Sequence, residues 1–271
     1  MPRALLLATL LLTVGCATAP PSSPAPVPSS LVPTLPPPVR ALSLGHSVDG
    51  RPLTLHLLGD PADPAPLLIV GGVHGNEPTA TAVAQRLLEL LTAQPALLGR
   101  RRVAILPCAN PDGLARKLRT NTNLVDLNRN LPAANWAKTR KGAMFGGHRP
   151  SSEPETLALL KAFETVRPAR VISIHSMAAP CNNYDGPAQL LAQTMARLNA
   201  FPVKASIGYP TPGSLGSWAG VDKQIPTITL ELPSRASADA AWEQNREALL
   251  AAISEGESKN TQDMSAKNQR P

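Results

Sequence analysis

Aromatic residues and cysteines are scarce in this chain of 271 residues, which has three Phe, two Tyr, three Trp and three Cys. Basic residues are not interleaved with aromatic ones and no zinc-finger spacing occurs, which excludes the common nucleic-acid-binding modules. The two cysteines beyond Cys16, which are Cys108 and Cys181, are too few for a disulfide framework. Sequence alone leaves open whether they pair or are buried free thiols.

Long apolar runs are also missing from the N-terminal region. Arg3 precedes the apolar run 4–14, which is too short to cross a bilayer as a stable anchor. A charged start, a short apolar stretch and small residues after it predict a secretory signal over residues 1–15. Segment 12–16 (LTVGC) resembles the bacterial lipoprotein box, which implies lipidation of Cys16. The alternative is a plain cleaved signal with an incidental cysteine.

These features predict an exported protein, located in the periplasm and lipid-anchored to the outer membrane, with no other contact with the membrane. Residues 16–38 are dense in Pro, Ser and Ala and predict an extended tether. Residues 254–271 contain few apolar residues and predict a disordered polar tail. The net charge of +7 fits either a solvated surface or attraction to an anionic substrate.

Residues 39–253 form one predicted domain in which strands and helices alternate. This alternation predicts an α/β fold with a mixed, mostly parallel twisted sheet and helices on both faces. The predicted strands are 41–44 and 53–57, which form a hairpin, followed by 67–73, 102–106, 171–174 and 227–230. The predicted helices are 78–91, 154–166, 188–198 and 238–253. Ser152 and Glu155 have the spacing of a capping box at the start of the second helix.

A candidate metal site lies at the end of the third strand, in segment 71–77 (GGVHGNE). His74 and Glu77 there place an imidazole nitrogen and a carboxylate on one tight turn. Zinc takes such ligands, and a catalytic zinc has three protein ligands and an open position for water. The pair therefore predicts a third ligand and a general base elsewhere in the chain.

The ends of two other strands supply candidates for both roles. His175 follows strand 171–174 and Glu231 follows strand 227–230. Ligands in open α/β sheets bind at the carboxyl ends of the strands, where these side chains should meet the 71–77 turn. A carboxylate near the metal can take a proton from water and give it to the leaving amine. Segment 118–130, with two arginines and several amides, suits an anionic ligand.

The candidate residues resemble, in their order, the pattern of the zinc carboxypeptidase family. They are His74, Glu77, Arg119, segment 126–130 (DLNRN), His175 and Glu231. The resemblance covers about 39–253 and implies that family's fold and one zinc ion per chain. Within the family, bacterial murein tripeptide amidases are the most similar group. The segments that carry this likeness are 108–113 (CANPDG), 128–136 (NRNLPAANW), 152–156 (SEPET) and 208–218 (GYPTPGSLGSW).

The resemblance implies a role for each residue of the metal site. His74, Glu77 and His175 would hold zinc. Glu231 would activate the zinc-bound water, and Asp126 would orient a ligating imidazole from behind.

The resemblance also implies how the substrate is held. Arg119 would polarise the scissile carbonyl and stabilise its developing negative charge. Asn128 and Arg129 would bind the free carboxylate of the terminal residue. Tyr209 receives no role. His175 is followed by Ser176 and Met177, where the murein amidases carry Asp-Pro.

The predicted function is zinc-dependent hydrolysis of the C-terminal amide bond of murein peptides, at the γ-D-glutamyl–meso-diaminopimelate linkage. One alternative keeps the fold and changes the substrate, giving an acyl-amino-acid deacylase of the succinylglutamate desuccinylase or aspartoacylase kind. A third hypothesis is a lipoprotein that binds wall peptides without cleaving them. The sequence does not indicate an oligomeric state.

Overall fold

The computed structural model of the chain describes residues 39–255. The predicted signal (1–15), the tether (16–38) with Cys16, and all of the predicted tail beyond residue 255 lie outside this range. The eight strands are β1 (Arg40–His46), β2 (Pro52–Gly59), β3 (Leu67–Val70), β4 (Arg102–Leu106), β5 (Arg170–Met177), β6 (Cys181–Asp185), β7 (Val203–Lys204) and β8 (Thr227–Pro233). The five α-helices are α1 (Pro78–Ala93), α2 (Pro111–Arg116), α3 (Pro154–Val166), α4 (Gln189–Asn199) and α5 (Ala238–Ser254).

All eight strands belong to one mixed sheet with the order β1-β2-β4-β3-β5-β8-β6-β7. Its centre is parallel, because β3 pairs in parallel with β4 and β5, and β5 pairs in parallel with β8. The β1–β2 hairpin is antiparallel and lies at one edge, and β6 runs antiparallel to β8 near the other. The prediction of a mixed, mostly parallel sheet is confirmed in its centre.

Both faces of the sheet are covered, as strand β3 illustrates. Leu67 and Ile69 pack into a core with helices α1, α4 and α5. Leu68 and Val70 pack into a second core with α3 and the segment around Trp218. Successive side chains of a strand point to opposite faces, so a strand apolar throughout is buried on both sides. No helix within residues 39–255 is long and apolar enough to cross a membrane.

Strands β5 and β8 are longer than predicted, and two strands were not predicted. The β5 strand continues through His175 to Met177, and β8 continues through Glu231 to Pro233. Both candidate residues therefore lie inside strands and not beyond them. The short strands β6 and β7 are the two that the sequence analysis does not predict. A π-helical turn, Gly216–Asp222, was also missed.

The predicted capping box at helix α3 is wrong. The N-cap of this helix is Glu153, whose side chain makes no capping hydrogen bond. Ser152 Oγ donates to Glu153 Oε1 at 2.6 Å, and Glu155 accepts from Val48 N at 3.1 Å and Asn121 Nδ2 at 3.0 Å. Glu155 is thus committed to contacts with other segments.

Cys108 and Cys181 are both free thiols, which decides between the two alternatives that the sequence left open.

Candidate active site

Three side chains converge where β3 and β5 reach the edge of the sheet. His74 and Glu77 lie on the turn between β3 and α1, and His175 lies near the end of β5. His74 Nδ1 is 2.8 Å from Glu77 Oε1, and His175 Nδ1 is 3.2 Å from Glu77 Oε2. The two Nδ1 atoms are only 3.1 Å apart. All three residues are buried, and one ligand atom from each lies within 4.8 Å of the others.

The outer nitrogens of the two imidazoles indicate which atoms face the centre. His74 Nε2 is 3.1 Å from Asp126 Oδ1, and an ionised carboxylate only accepts hydrogen bonds. His74 therefore carries its proton on Nε2 and turns the Nδ1 lone pair inward. His175 Nε2 is 2.9 Å from Ser173 Oγ, which can accept its proton in the same way.

This arrangement brings three acceptors together: two imine nitrogens and a carboxylate. Such a group is repulsive unless a proton or a cation lies among its members. Two imidazoles and one carboxylate are a ligand set that zinc takes at catalytic sites. The Glu77 carboxylate makes no capping hydrogen bond to helix α1. Its Oε2 accepts a hydrogen bond from Ser176 N at 3.1 Å, which leaves further lone pairs of the carboxylate for a metal ion. The residues present therefore fit a zinc ion.

The pKa shifts of Glu77, His74 and Asp126 agree with this arrangement of charges. Burial alone would raise the pKa of Glu77, but hydrogen bonds with His175 and His74 hold it well below its usual range. Burial would lower the pKa of His74, yet hydrogen bonds to Asp126 and Glu77 raise it. Burial also opposes ionisation of Asp126, but contact with His74 lowers the pKa of Asp126 to about 2. Both carboxylates are therefore ionised at neutral pH.

Glu231 lies beside this cluster on the neighbouring strand. The β5–β8 ladder pairs it directly with His175, so the two side chains point to the same face of the sheet. Glu231 is 7% exposed, and within residues 39–255 its carboxylate makes no hydrogen bond. Burial raises the pKa of Glu231. A carboxylate with a raised pKa and free oxygens is suited to accept and return a proton.

Arg119 is held behind the cluster by the two acidic residues. Its Nε donates to Asp126 Oδ2 at 3.0 Å, and its Nη1 is 3.7 Å from Glu77 Oε1. The guanidinium is partly exposed and lines the same cleft as Glu231. A fixed positive charge at this place can stabilise negative charge that develops on a bound carbonyl.

Asn128 and Arg129 line the cleft next to the cluster, together with Tyr209. Asn128 Oδ1 accepts from Leu215 N at 2.8 Å, which leaves its amide nitrogen free to donate. Arg129 is 3% exposed, and its Nη1 donates to the Asn128 carbonyl at 2.6 Å. Burial lowers the pKa of Arg129, while the negative charge of Asp126 and, to a smaller extent, the contact with Tyr209 oppose that change. These donors suit a carboxylate.

Two residues of this neighbourhood were missed by the sequence analysis. Ser173 holds the outer nitrogen of His175, and Tyr209 lies at Arg129 in the cleft. For Ser173 the available signal was its position two residues before His175 on the same strand face. For Tyr209 it was the likeness of segment 208–218 to the murein amidases.

The turn that carries His74 packs tightly against helix α2. A Cβ atom at Gly75 would lie 1.9 Å from the carbonyl carbon of Gly113 and 2.2 Å from the nitrogen of Leu114. These are backbone atoms, which cannot rotate away. Glycine at this position therefore allows the metal-site turn to contact the backbone of α2.

A larger, mostly apolar groove beside α3, lined by residues such as Phe163 and Trp218, contains none of the candidate site residues.

Comparisons with known proteins agree with this geometry. The family model described as zinc carboxypeptidase (Peptidase_M14) matches residues 30–202. Murein peptide amidase A of Escherichia coli (strain K12) is 38% identical over 186 residues, covering 64% of this chain and 74% of that protein. Murein peptide amidase A of Vibrio campbellii is 32% identical over 228 residues, covering 79% and 88%.

A solved structure shares the architecture. The crystal structure of murein-tripeptide amidase MpaA from Escherichia coli O157 superposes with a TM-score of 0.66 at 32% sequence identity. The match covers 82% of this chain and 93% of that one. The eight-stranded mixed sheet with its covering helices is therefore the fold of these enzymes.

Proposed function

This chain belongs to the zinc carboxypeptidase family and is a zinc metallopeptidase, and we propose that it acts on murein peptides. The proposed reaction is hydrolysis of the C-terminal γ-D-glutamyl–meso-diaminopimelate bond, with one zinc ion per chain. Similarity to two murein peptide amidases supports this substrate. The observation that carries the proposal is the convergence of His74, Glu77 and His175 beside Glu231 in one cleft.

The residues around the site have different roles in the hydrolysis of the amide bond. His74, Glu77 and His175 would hold zinc, which supplies Lewis acidity toward the scissile carbonyl and the attacking water. Glu231 takes a proton from that water and gives it to the leaving nitrogen. Arg119 stabilises the negative charge that develops on the carbonyl oxygen.

The terminal carboxylate of the substrate would be bound further along the cleft. Arg129 can donate two parallel hydrogen bonds to a carboxylate, and the free amide nitrogen of Asn128 adds a third donor. Tyr209 lies next to Arg129 and lines the same part of the cleft. Arg129 and Asn128 together form the proposed carboxylate clamp. The clamp requires a free C-terminal carboxylate on the substrate, and this requirement limits cleavage to the last residue.

The sharpest test replaces the proposed base by an uncharged residue of the same shape. We expect Glu231→Gln to lower kcat on L-Ala-γ-D-Glu-meso-diaminopimelate by at least about 100-fold, because the amide cannot accept the proton. Zinc content should stay near one ion per chain. Glu247→Gln, an exposed change on α5, is the matched control and should keep full activity.

Mass spectrometry of the products decides between the hypotheses. Release of free diaminopimelate by the wild type, lost in Glu231→Gln, supports the proposal. Turnover of N-acyl amino acids instead would favour the deacylase, and tight peptide binding without turnover would favour a non-catalytic lipoprotein. Undiminished turnover in Glu231→Gln would refute the assignment of the base.

We further propose that the protein is exported and lipid-anchored through Cys16 in the periplasm. Support comes from the apolar run 4–14 and the lipoprotein-box likeness of segment 12–16. The Pro-rich segment 16–38 would then hold the catalytic domain away from the membrane. Peptides of the cell envelope would be its substrates.

A further inference from the structure

Asn121 has a buried side-chain amide that does not line the cleft. It is 1% exposed, and its side chain uses its full hydrogen-bonding capacity. The Oδ1 atom accepts from Asn123 N and Val125 N, both at 3.1 Å. The Nδ2 atom donates to Glu153 Oε2 at 2.8 Å and to Glu155 Oε2 at 3.0 Å. An amide has two donor hydrogens and two acceptor lone pairs, so all four are used here.

This amide holds the shape of loop 119–126. Asn121 N donates to the Val125 carbonyl at 3.0 Å, and Leu124 N donates to the Asn121 carbonyl at 3.0 Å. Leu124 has a φ of 61°, a left-handed conformation that is unfavourable for a residue with a side chain. The two backbone N–H groups that bond to Asn121 Oδ1 belong to the same turn. The side chain of Asn121 therefore fixes a turn that the backbone alone would not favour.

The two ends of this loop are Arg119 and Asp126. The Nε and Nη2 atoms of Arg119 both lie 3.0 Å from Asp126 Oδ2. Asp126 Oδ1 lies 3.1 Å from Nε2 of the proposed zinc ligand His74. A change in the shape of the loop would therefore move Arg119 in the cleft and weaken the support of His74.

Two buried carboxylates make position 121 depend on a neutral amide. Glu153 and Glu155 are both buried, and within residues 39–255 neither forms an ion pair. Burial raises the pKa of Glu155, although hydrogen bonds from Asn121 and Val48 oppose that change. Because both acids accept from the same Nδ2 group, a carboxylate at position 121 would face two others with no donor between them.

The proposed carboxylate clamp has supports of its own. Asn128 Oδ1 accepts from Leu215 N at 2.8 Å. Asn130 Nδ2 donates to the Gly146 carbonyl at 2.8 Å and to the Arg149 carbonyl at 3.1 Å. None of these contacts involves loop 119–126. A change at position 121 should therefore affect the stabilisation of developing charge more than the binding of the substrate terminus.

We propose that Asn121 is a positioning residue, which sets the places of Arg119 and Asp126 at the metal site through its bonds to Glu153 and Glu155. Its effect on catalysis rests on the proposed function, because it acts through Arg119. Its effect on zinc binding acts through Asp126 and does not depend on the substrate. The start of helix α3, which lies outside the cleft, thus contributes to the geometry of the reaction.

Asn121→Asp tests this inference, because it changes the charge at this position and keeps the shape. We expect kcat on L-Ala-γ-D-Glu-meso-diaminopimelate at saturating zinc to fall by about tenfold or more, with KM within about threefold of the wild type. Zinc affinity, measured by competition with a chelator, should fall by about fivefold or more. Gln85→Glu is the matched control and should keep wild-type values. Its amide also donates to a carboxylate, Glu89 Oε1 at 3.0 Å, but on the exposed surface of α1.

Reversal of one hydrogen bond gives a second test. Glu155→Gln can keep an oxygen toward Val48 N and present an amide nitrogen toward position 121. Alone, this change sets two donors against each other and should lower kcat about as much as Asn121→Asp does. In the double variant the new amide donates to the new carboxylate, and kcat should recover to within about threefold of the wild type. Losses that add instead of cancelling would refute the proposed bond.

The remaining outcomes separate this inference from the proposed function. Wild-type kcat and zinc affinity in Asn121→Asp, or a defect in KM alone, would overturn the role of Asn121 and leave the proposed function intact. No cleavage of the tripeptide by the wild type would overturn the proposed function, and zinc affinity would then decide on Asn121 by itself. If Asn121→Asp does not fold, Glu155→Gln gives the same measurements.

Discussion

Asp126 shows how much one buried side chain contributes to this site. It is fully buried, and its Oδ1 is 3.1 Å from His74 Nε2 and accepts from Asn128 N at 2.9 Å. Its Oδ2 accepts from Arg119 Nε at 3.0 Å. One carboxylate thus positions a proposed zinc ligand, the proposed oxyanion donor and the start of the proposed clamp.

We expect Asp126→Asn to weaken zinc binding by about 10–100-fold, because a neutral amide holds and polarises the His74 imidazole less well than a carboxylate. Competition with a chromophoric chelator measures this affinity directly, without an assay of activity. Asp239→Asn, an exposed change at the start of α5, should bind zinc as the wild type does. An unchanged affinity in Asp126→Asn would show that His74 is oriented by its other contacts.

Chemically distinctive residues could be predicted from the sequence, and less distinctive ones could not. A His-x-x-Glu pair after an apolar strand and a DLNRN segment are informative because few structural roles need them. Ser173 and Asp185 gave no such signal, since Ser and Asp occur in many surface positions. Their positions follow from register: Ser173 lies two residues before His175, and Asp185 lies on the strand that pairs with β8.

Among the secondary-structure elements, β6 explains why part of the sheet was missed. Its sequence, CNNYD, has neither the β-branched residues nor the alternation that predict a strand. The first three residues of the strand are nevertheless buried, and the side-chain amides of its two asparagines are hydrogen-bonded. Asn182 Nδ2 donates to Asn199 Oδ1 at 3.0 Å, and Asn183 Nδ2 donates to the Lys204 carbonyl at 2.9 Å. Such long-range pairing overrides local propensity.

The contact between the metal-site turn and helix α2 leads to a prediction. We expect Gly75→Ala to destabilise the fold by about 1–3 kcal/mol, since the added methyl group overlaps backbone atoms of α2. The displaced turn should also bind zinc more weakly. Chemical denaturation and chelator competition measure the two effects. Gly142→Ala, where a Cβ atom meets nothing within 4 Å, is the matched control. Equal stability of the two variants would contradict this account.

For the whole molecule, the fold class was predictable and the strand order was not. Alternating strands and helices predicted helices on both faces of a mixed sheet, and this is confirmed. Local patterns predicted the β1–β2 hairpin but contain no information on which of the other strands become neighbours. The antiparallel β6 between β8 and β7 therefore had to come from the structure. That strand ends in Asp185, so the missed element also lines part of the cleft.

The proposed anchor affects the location of the whole protein. We expect the wild type to partition into the membrane fraction and Cys16→Ser to appear in the soluble periplasmic fraction, because acyl chains supply the binding free energy. Immunoblots of cell fractions measure this. Cys108→Ser is the matched control and should stay with the membrane. Release of both, or of neither, would contradict anchoring through Cys16.

The pairing of His175 with Glu231 in the β5–β8 ladder has an evolutionary consequence. Backbone hydrogen bonds of two central strands fix the spacing between a proposed zinc ligand and the proposed base, and no loop takes part. Asp185 and Tyr209 lie instead at the periphery, on a strand end and in the segment before the π-helical turn. Substitutions at this periphery are thus able to change which peptides the cleft accepts without altering the spacing between His175 and Glu231.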